Sequence, residues 1–88
     1  MGRATRPRPK YLGKKLKAIR EKLGFSQTEM WVALGHSSDK KDFRSVISAY
    51  ELGKREPNLL ELLQYGRLVE CPIEEILDDS MELSIFDK

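Results

Sequence analysis

An all-α fold is predicted by three features of the 88-residue sequence. Apolar residues recur at intervals of three and four, the period of a helix with one buried face. Two segments, Ser26 to Glu29 and Asn58 to Glu61, carry the polar cap followed by glutamate that opens helices. No alternating strand pattern occurs before Met81. A chain of this length has room for one core and one domain.

The elements follow in order. Helix 1 begins near Tyr11, with Leu12, Leu16, Ile19 and Leu23 on one face and Gly24 as a left-handed C-terminal cap. Lys14, Lys15, Lys17 and Lys22 are assigned to its opposite, solvated face. Helix 2 starts at the Ser26–Glu29 capping box, with Phe25 and Met30 as the hydrophobic staple. Met30, Trp31 and Leu34 supply its inner face, and Gly35 ends it. Helix 3 carries Phe43, Val46, Ile47 and Tyr50 on its inner side and closes at Gly53. Its start is open, since Ser38, Asp39 and Asp42 can each serve as N-cap. Helix 4 opens at Asn58, with Leu59, Leu62, Leu63, Gly66 and Val69 inward. Pro72 takes the first position of helix 5, which runs to about Leu77. These make a five-helix bundle over residues 11–78. A flexible basic arm, residues 1–10, precedes it, and a short tail, residues 79–88, follows.

Charge narrows the function. Residues 1–55 hold 14 Lys/Arg against 5 Asp/Glu, a charge of +9, whereas residues 56–88 hold 2 against 9, or −7. Such segregation predicts one half that faces a polyanion and one that faces away. No apolar run approaches the length of a membrane-spanning helix, and no apolar segment follows the basic N-terminus as in a secretory signal. One cysteine, Cys71, and one histidine, His36, build neither a disulfide framework nor a zinc site. The expectation is an intracellular, cytoplasmic protein with no cofactor and no membrane partner. Catalysis is not expected, because there is no paired-carboxylate cleft, no nucleophile with a base and no glycine-rich phosphate loop.

Helices 2 and 3 have the outline of a helix-turn-helix. Ile47 and Tyr50 would hold helix 3 on the core, while Arg44, Ser45 and Ser48 point outward as a major-groove reader requires. Gln27 stands at the N-terminus of helix 2, where free N–H groups suit a phosphate. Arg3, Arg6 and Arg8, spaced by Pro7 and Pro9, form an arm that suits a minor groove, plain solvation or a nuclear localisation signal.

These residues also carry a family resemblance. Leu12-Gly13, Arg20, Gly24-Phe25-Ser26-Gln27 and Glu29-Met30 are followed by Ile47-Ser48, Tyr50-Glu51, Gly53-Lys54 and Pro57-Asn58-Leu59. With Leu62-Leu63 and Ile73-Glu74-Glu75-Ile76, the set resembles the phage-repressor (Cro/Xre) helix-turn-helix family over residues 12–77. The resemblance implies a lambda-repressor-like bundle that binds double-stranded DNA, commonly as a homodimer. It implies that Gln27 contacts a phosphate and braces helix 3. Arg44, Ser45 and Ala49 match base-reading positions, and Lys54 and Arg55 match a loop that grips the backbone. Arg20 and Glu51 match a structural ion pair, and Gly66 a position kept small for close packing.

The sequence departs from the family pattern in two places. Eight residues separate Gly35 from Arg44 where the family typically has two, so the connection is extended and Lys40 or Lys41 can join the contact surface. Alternatively, Asp39 caps an extra turn of helix 3. Trp31 stands where alanine is usual, and its bulk is expected to hold helices 2 and 3 apart. The functional expectation is sequence-specific DNA binding by a transcriptional regulator, typically a repressor. The alternative is a protein-interaction module, an antitoxin or bridging factor. It would use the acidic half (Glu74, Glu75, Asp78, Asp79, Glu82) and a tail docking through Met81, Leu83, Ile85 and Phe86.

Overall fold

A computed structural model describes residues 9–36 and 43–86, with the backbone alone at residues 43, 44 and 86. Among the described residues there are five α-helices: α1 (Leu12–Leu23), α2 (Gln27–Ala33), α3 (Phe43–Glu51), α4 (Leu59–Val69) and α5 (Ile73–Leu77). A 3₁₀ turn, Ser84–Phe86, follows. The all-helical bundle is the predicted one. Residues 1–8 of the arm and most of the 36–43 connection, with Arg6, Arg8, Lys40, Lys41 and the N-cap candidates of α3, lie outside the described residues, while Lys10 is held by Asp79 through its N–H.

Both capping boxes form. Ser26 Oγ accepts from the Glu29 N–H at 3.0 Å, and Glu29 accepts from the Ser26 N–H at 2.7 Å. Asn58 and Glu61 repeat the exchange at 2.8 and 3.1 Å. Each satisfies two of the donors that a helix start leaves unpaired. Gly24, at φ 74°, closes α1 by letting the Phe25 N–H reach back to the Arg20 carbonyl. Pro72 sits one residue earlier than expected, as the N-cap of α5, in extended conformation.

The core is made by Leu12, Leu16 and Ile19 of α1, Met30 and Leu34 beside α2, Ile47 and Tyr50 of α3, and Leu62 and Tyr65 of α4. Cys71, Ile76, Leu83 and Ile85 complete it. α1 runs through the middle and packs on α3, α4 and α5, while α2 packs on α3. Two glycines mark where backbones touch. A Cβ on Gly13 would collide with the Glu51 carbonyl oxygen, so α1 and the end of α3 meet with no side chain between them. A Cβ on Gly66 would lie 2.7 Å from the Cys71 carbonyl oxygen, which gives the small residue there its reason.

Several expectations are corrected. Leu59 is 64% exposed, because the first turn of α4 projects past the core that Leu62 reaches. Lys15 is not on a solvated face. Its position, three residues after Leu12 and four before Ile19, lies inside the apolar stripe, so its stem is buried and its ammonium reaches across to α5. There Nζ donates to the carbonyl oxygens of Glu75, Asp78 and Met81 at 2.6, 2.8 and 2.8 Å. It thus caps the C-terminus of α5, where the helix dipole favours a cation. Leu83 and Ile85, assigned by sequence to a docking tail, belong to this chain's own core. The short helix α5 covers too little of the α1 surface, and the segment after it completes the burial.

Candidate nucleic-acid interface

The outer side of α3 follows from how its inner side is held. Ile47 is fully buried and Tyr50 nearly so, which leaves Ser45 exposed and Ser48 and Ala49 half-buried on the flanks. Arg44 lies in the first turn of α3, and its side chain is outside the described set. Lys54 and Arg55 follow α3 directly and are both exposed. Their N–H groups both return to the Ala49 carbonyl, at 2.9 and 3.2 Å. Gly53, at φ 79°, makes that reversal possible, so the two cations are fixed against the end of α3 rather than carried on a loose loop.

The last turn of α3 is fastened by charge. Arg20 Nε donates to Glu51 Oε2 at 2.6 Å, Nη2 donates to Oε1 at 3.2 Å, and Nη1 donates to the Phe25 carbonyl at 2.9 Å. The bidentate, largely buried pair is the one implied by the resemblance, and the Glu51 hydrogen bond raises the guanidinium pKa above its ordinary value. Gln27 Nε2 lies 3.4 Å from Glu51 Oε1, so the head of α2 reaches the foot of α3. Gln27, Lys54 and Arg55 are therefore brought to one end of α3, with Ser45 a turn and a half back along it.

A second node centres on Glu61. The sequence pattern marks it only as a capping glutamate, yet it is buried at 6% exposure and also accepts the Tyr50 hydroxyl at 2.8 Å. His36 Nε2 lies 2.5 Å from its other oxygen. Burial alone would raise the Glu61 carboxyl, but hydrogen bonds from His36, Tyr50 and the Asn58 backbone outweigh it and hold the group below the usual range. Burial, then the bond to Glu61, pushes the Tyr50 phenol up to about 12. Trp31, half-buried against the core, stacks on the His36 ring at 3.9 Å between centroids and 20° between planes. The indole thus serves as a shelf for the residue that begins the long connection. The only signal in the sequence was a lone histidine just after a helix stop, which by itself suggests a polar loop.

The remaining singular residues have structural settings. Cys71 is buried, and desolvation with Glu75 beside it pushes its thiol up to about 11, so it packs as a small apolar group. Among the described residues no cluster of His, Cys, Asp or Glu could hold a metal, and no helix is long and apolar enough to cross a membrane.

A two-helix unit with its second helix pinned on the core and its outer side polar defines the helix-turn-helix class of DNA-binding domains. The chain belongs to the helix-turn-helix domain family of the Cro/Xre type, whose family model matches residues 13–79 of the 88. No curated protein and no solved structure matches it.

Proposed function

We propose that the domain binds double-stranded DNA sequence-specifically and acts as a transcriptional regulator, a repressor in the simplest case. In this reading α3 enters the major groove, with Arg44, Ser45, Ser48 and Ala49 toward base edges. Gln27, Lys54 and Arg55 hold phosphates, Lys40 and Lys41 extend that surface, and Arg6 and Arg8 of the arm lie in the neighbouring minor groove. The observation that carries the reading is α3 itself. It is anchored at its last turn by Tyr50 and Glu51, polar on its outer side, and followed at once by two exposed cations. Binding as a homodimer on half-sites about one helical turn apart is part of the proposal, as is a nucleoid-associated, cytoplasmic location and the absence of enzymatic activity.

The alternative, a docking module built on the tail, draws no support from Leu83 and Ile85, since both are inside the domain. The test is selection of bound duplexes from random DNA, followed by titration of the selected site against salt. With about six to eight phosphate contacts, affinity should fall by roughly three orders of magnitude between about 50 and 200 mM salt. Arg55→Ala should weaken all sequences about equally, whereas Arg44→Ala should relax preference at one base position. Affinity that ignores salt would sink the mechanism.

A further inference from the structure

A helix that reads bases must place its side chains to within about half an ångström, so what fixes α3 against the core decides how well it reads. Apolar packing of Ile47 fixes how deeply α3 sits but weakly constrains its sliding or rotation. Directional hydrogen bonds do constrain it.

The exit of α2 and the last turn of α3 meet on one carboxylate. His36 stands just past the end of α2, and Tyr50 in the last turn of α3. They engage opposite oxygens of Glu61, His36 at Oε2 and Tyr50 at Oε1. The carboxylate does not wander, because Oε1 also accepts the Asn58 N–H at 3.1 Å and its residue is 6% exposed. The His36 ring is aimed by the Trp31 indole beneath it. The residue that follows α2 and the last turn of α3 are thus tied by two hydrogen bonds to a single fixed group.

We infer that His36 and Glu61 are positioning residues that set the register of α3 against the core. They determine how sharply the helix discriminates among sequences rather than how strongly it is drawn to DNA. The inference rests on the DNA-reading function proposed above. His36 touches no base in this scheme and acts through Glu61 and Tyr50. Removing His36 leaves the Glu61 carboxylate with two of its three partners, which loosens the anchor of Tyr50, while the Asn58–Glu61 capping box keeps the fold.

The experiment uses the full chain and two probes, the duplex selected by the wild type and a random-sequence duplex of equal length. For His36→Ala the preference for the selected duplex should fall by about tenfold, with random-duplex affinity changed by less than about twofold. The profile of preferred bases should broaden, and circular dichroism at the assay temperature should still report a folded chain. His36→Gln, whose amide N–H can reach the same carboxylate oxygen, should recover most of the preference. Tyr50→Phe, which removes the other bracket and keeps the ring, should broaden the profile in the same way.

An unchanged preference and profile in His36→Ala would overturn the inference and leave DNA reading intact. So would loss of folding in that variant, which would make the pair a requirement of the fold. A wild-type chain that selects no sequence would overturn the DNA-reading proposal, and this inference with it.

Discussion

The acidic and basic halves of the chain use their charges in opposite ways. In residues 56–86 several carboxylates serve as fasteners within the chain. Glu61 holds Asn58, Tyr50 and His36, and Glu75 accepts from the Ser84 N–H and hydroxyl at 2.9 and 2.8 Å. Asp78 accepts from the Ser80 N–H and hydroxyl. Asp79 takes the Lys10 and Tyr11 N–H groups on its two oxygens at 2.8 and 3.1 Å, capping the start of α1 from the far end of the sequence. In the basic half, Lys10, Lys14, Lys17, Lys54 and Arg55 are exposed. Arg20 and Lys15 are the cations drawn inward, one to Glu51 and one to three carbonyls. Segregated charge therefore does not mean two equivalent surfaces. Part of one sign is consumed in hydrogen bonds within the chain, and most of the other is left on the outside for a polyanion.

The sharpest way to break this comparison is inside α1, where buried and exposed lysines stand two residues apart. Lys15→Ala removes the donor that the Glu75, Asp78 and Met81 carbonyls share and should cost about 2–3 kcal/mol. Lys17→Ala, on the exposed side, should stay within about 0.5 kcal/mol. Urea unfolding of the two variants measures both. Equal effects would mean that the ammonium of Lys15 contributes no more than its neighbour's.

Acid should act next, through carboxylates of the acidic half. Hydrogen bonds from Ser84, from Ser80, and from the Lys10 and Tyr11 backbone hold Glu75, Asp78 and Asp79 below the usual carboxylate range, as Glu61 is held by its own partners. A carboxyl whose pKa is lower folded than unfolded stabilises the fold above its unfolded value, near about 4. That contribution disappears as pH falls through the folded value. The urea midpoint should thus be steady from about pH 7 to 5 and decline below about pH 4.5. A midpoint as high at pH 3 as at pH 6 would show that these bonds add nothing net.

Much of the fold was legible because its signals are local. The cap-plus-glutamate pairs at Ser26 and Asn58 fixed two helix starts, and the apolar spacing of α1 and α3 fixed their buried faces, except at Lys15. There the rule that lysine belongs in water overrode a correct register, since nothing nearby in sequence announces carbonyls sixty residues away. The Asp79 cap on α1 and the His36–Glu61 pair were hidden for the same reason. Both join segments far apart in the chain and use residue types that are ordinary on any surface. Of the candidate interface, Ser45 and the Lys54–Arg55 turn could be read, as their exposure follows from helical period and a glycine stop. The fastening of α3 through a carboxylate on α4 could not.

Glu70 is the exception that sharpens the comparison furthest for the smallest effect. It is an exposed acid, and its backbone rather than its side chain does the closing: at φ 57° and ψ 49° it forms the left-handed cap of α4. Its N–H returns to the Arg67 carbonyl and the Cys71 N–H to that of Gly66. A residue with a Cβ adopts this conformation at a cost of about 1 kcal/mol that glycine avoids. Glycine gives part of that back, because the unfolded chain becomes more flexible. Glu70→Gly should therefore stabilise by a few tenths of a kcal/mol, raising Tm by about 1–4 °C. If Tm falls instead, the Glu70 carboxylate contributes through its side chain after all, and the division between closing acids and idle ones lies elsewhere.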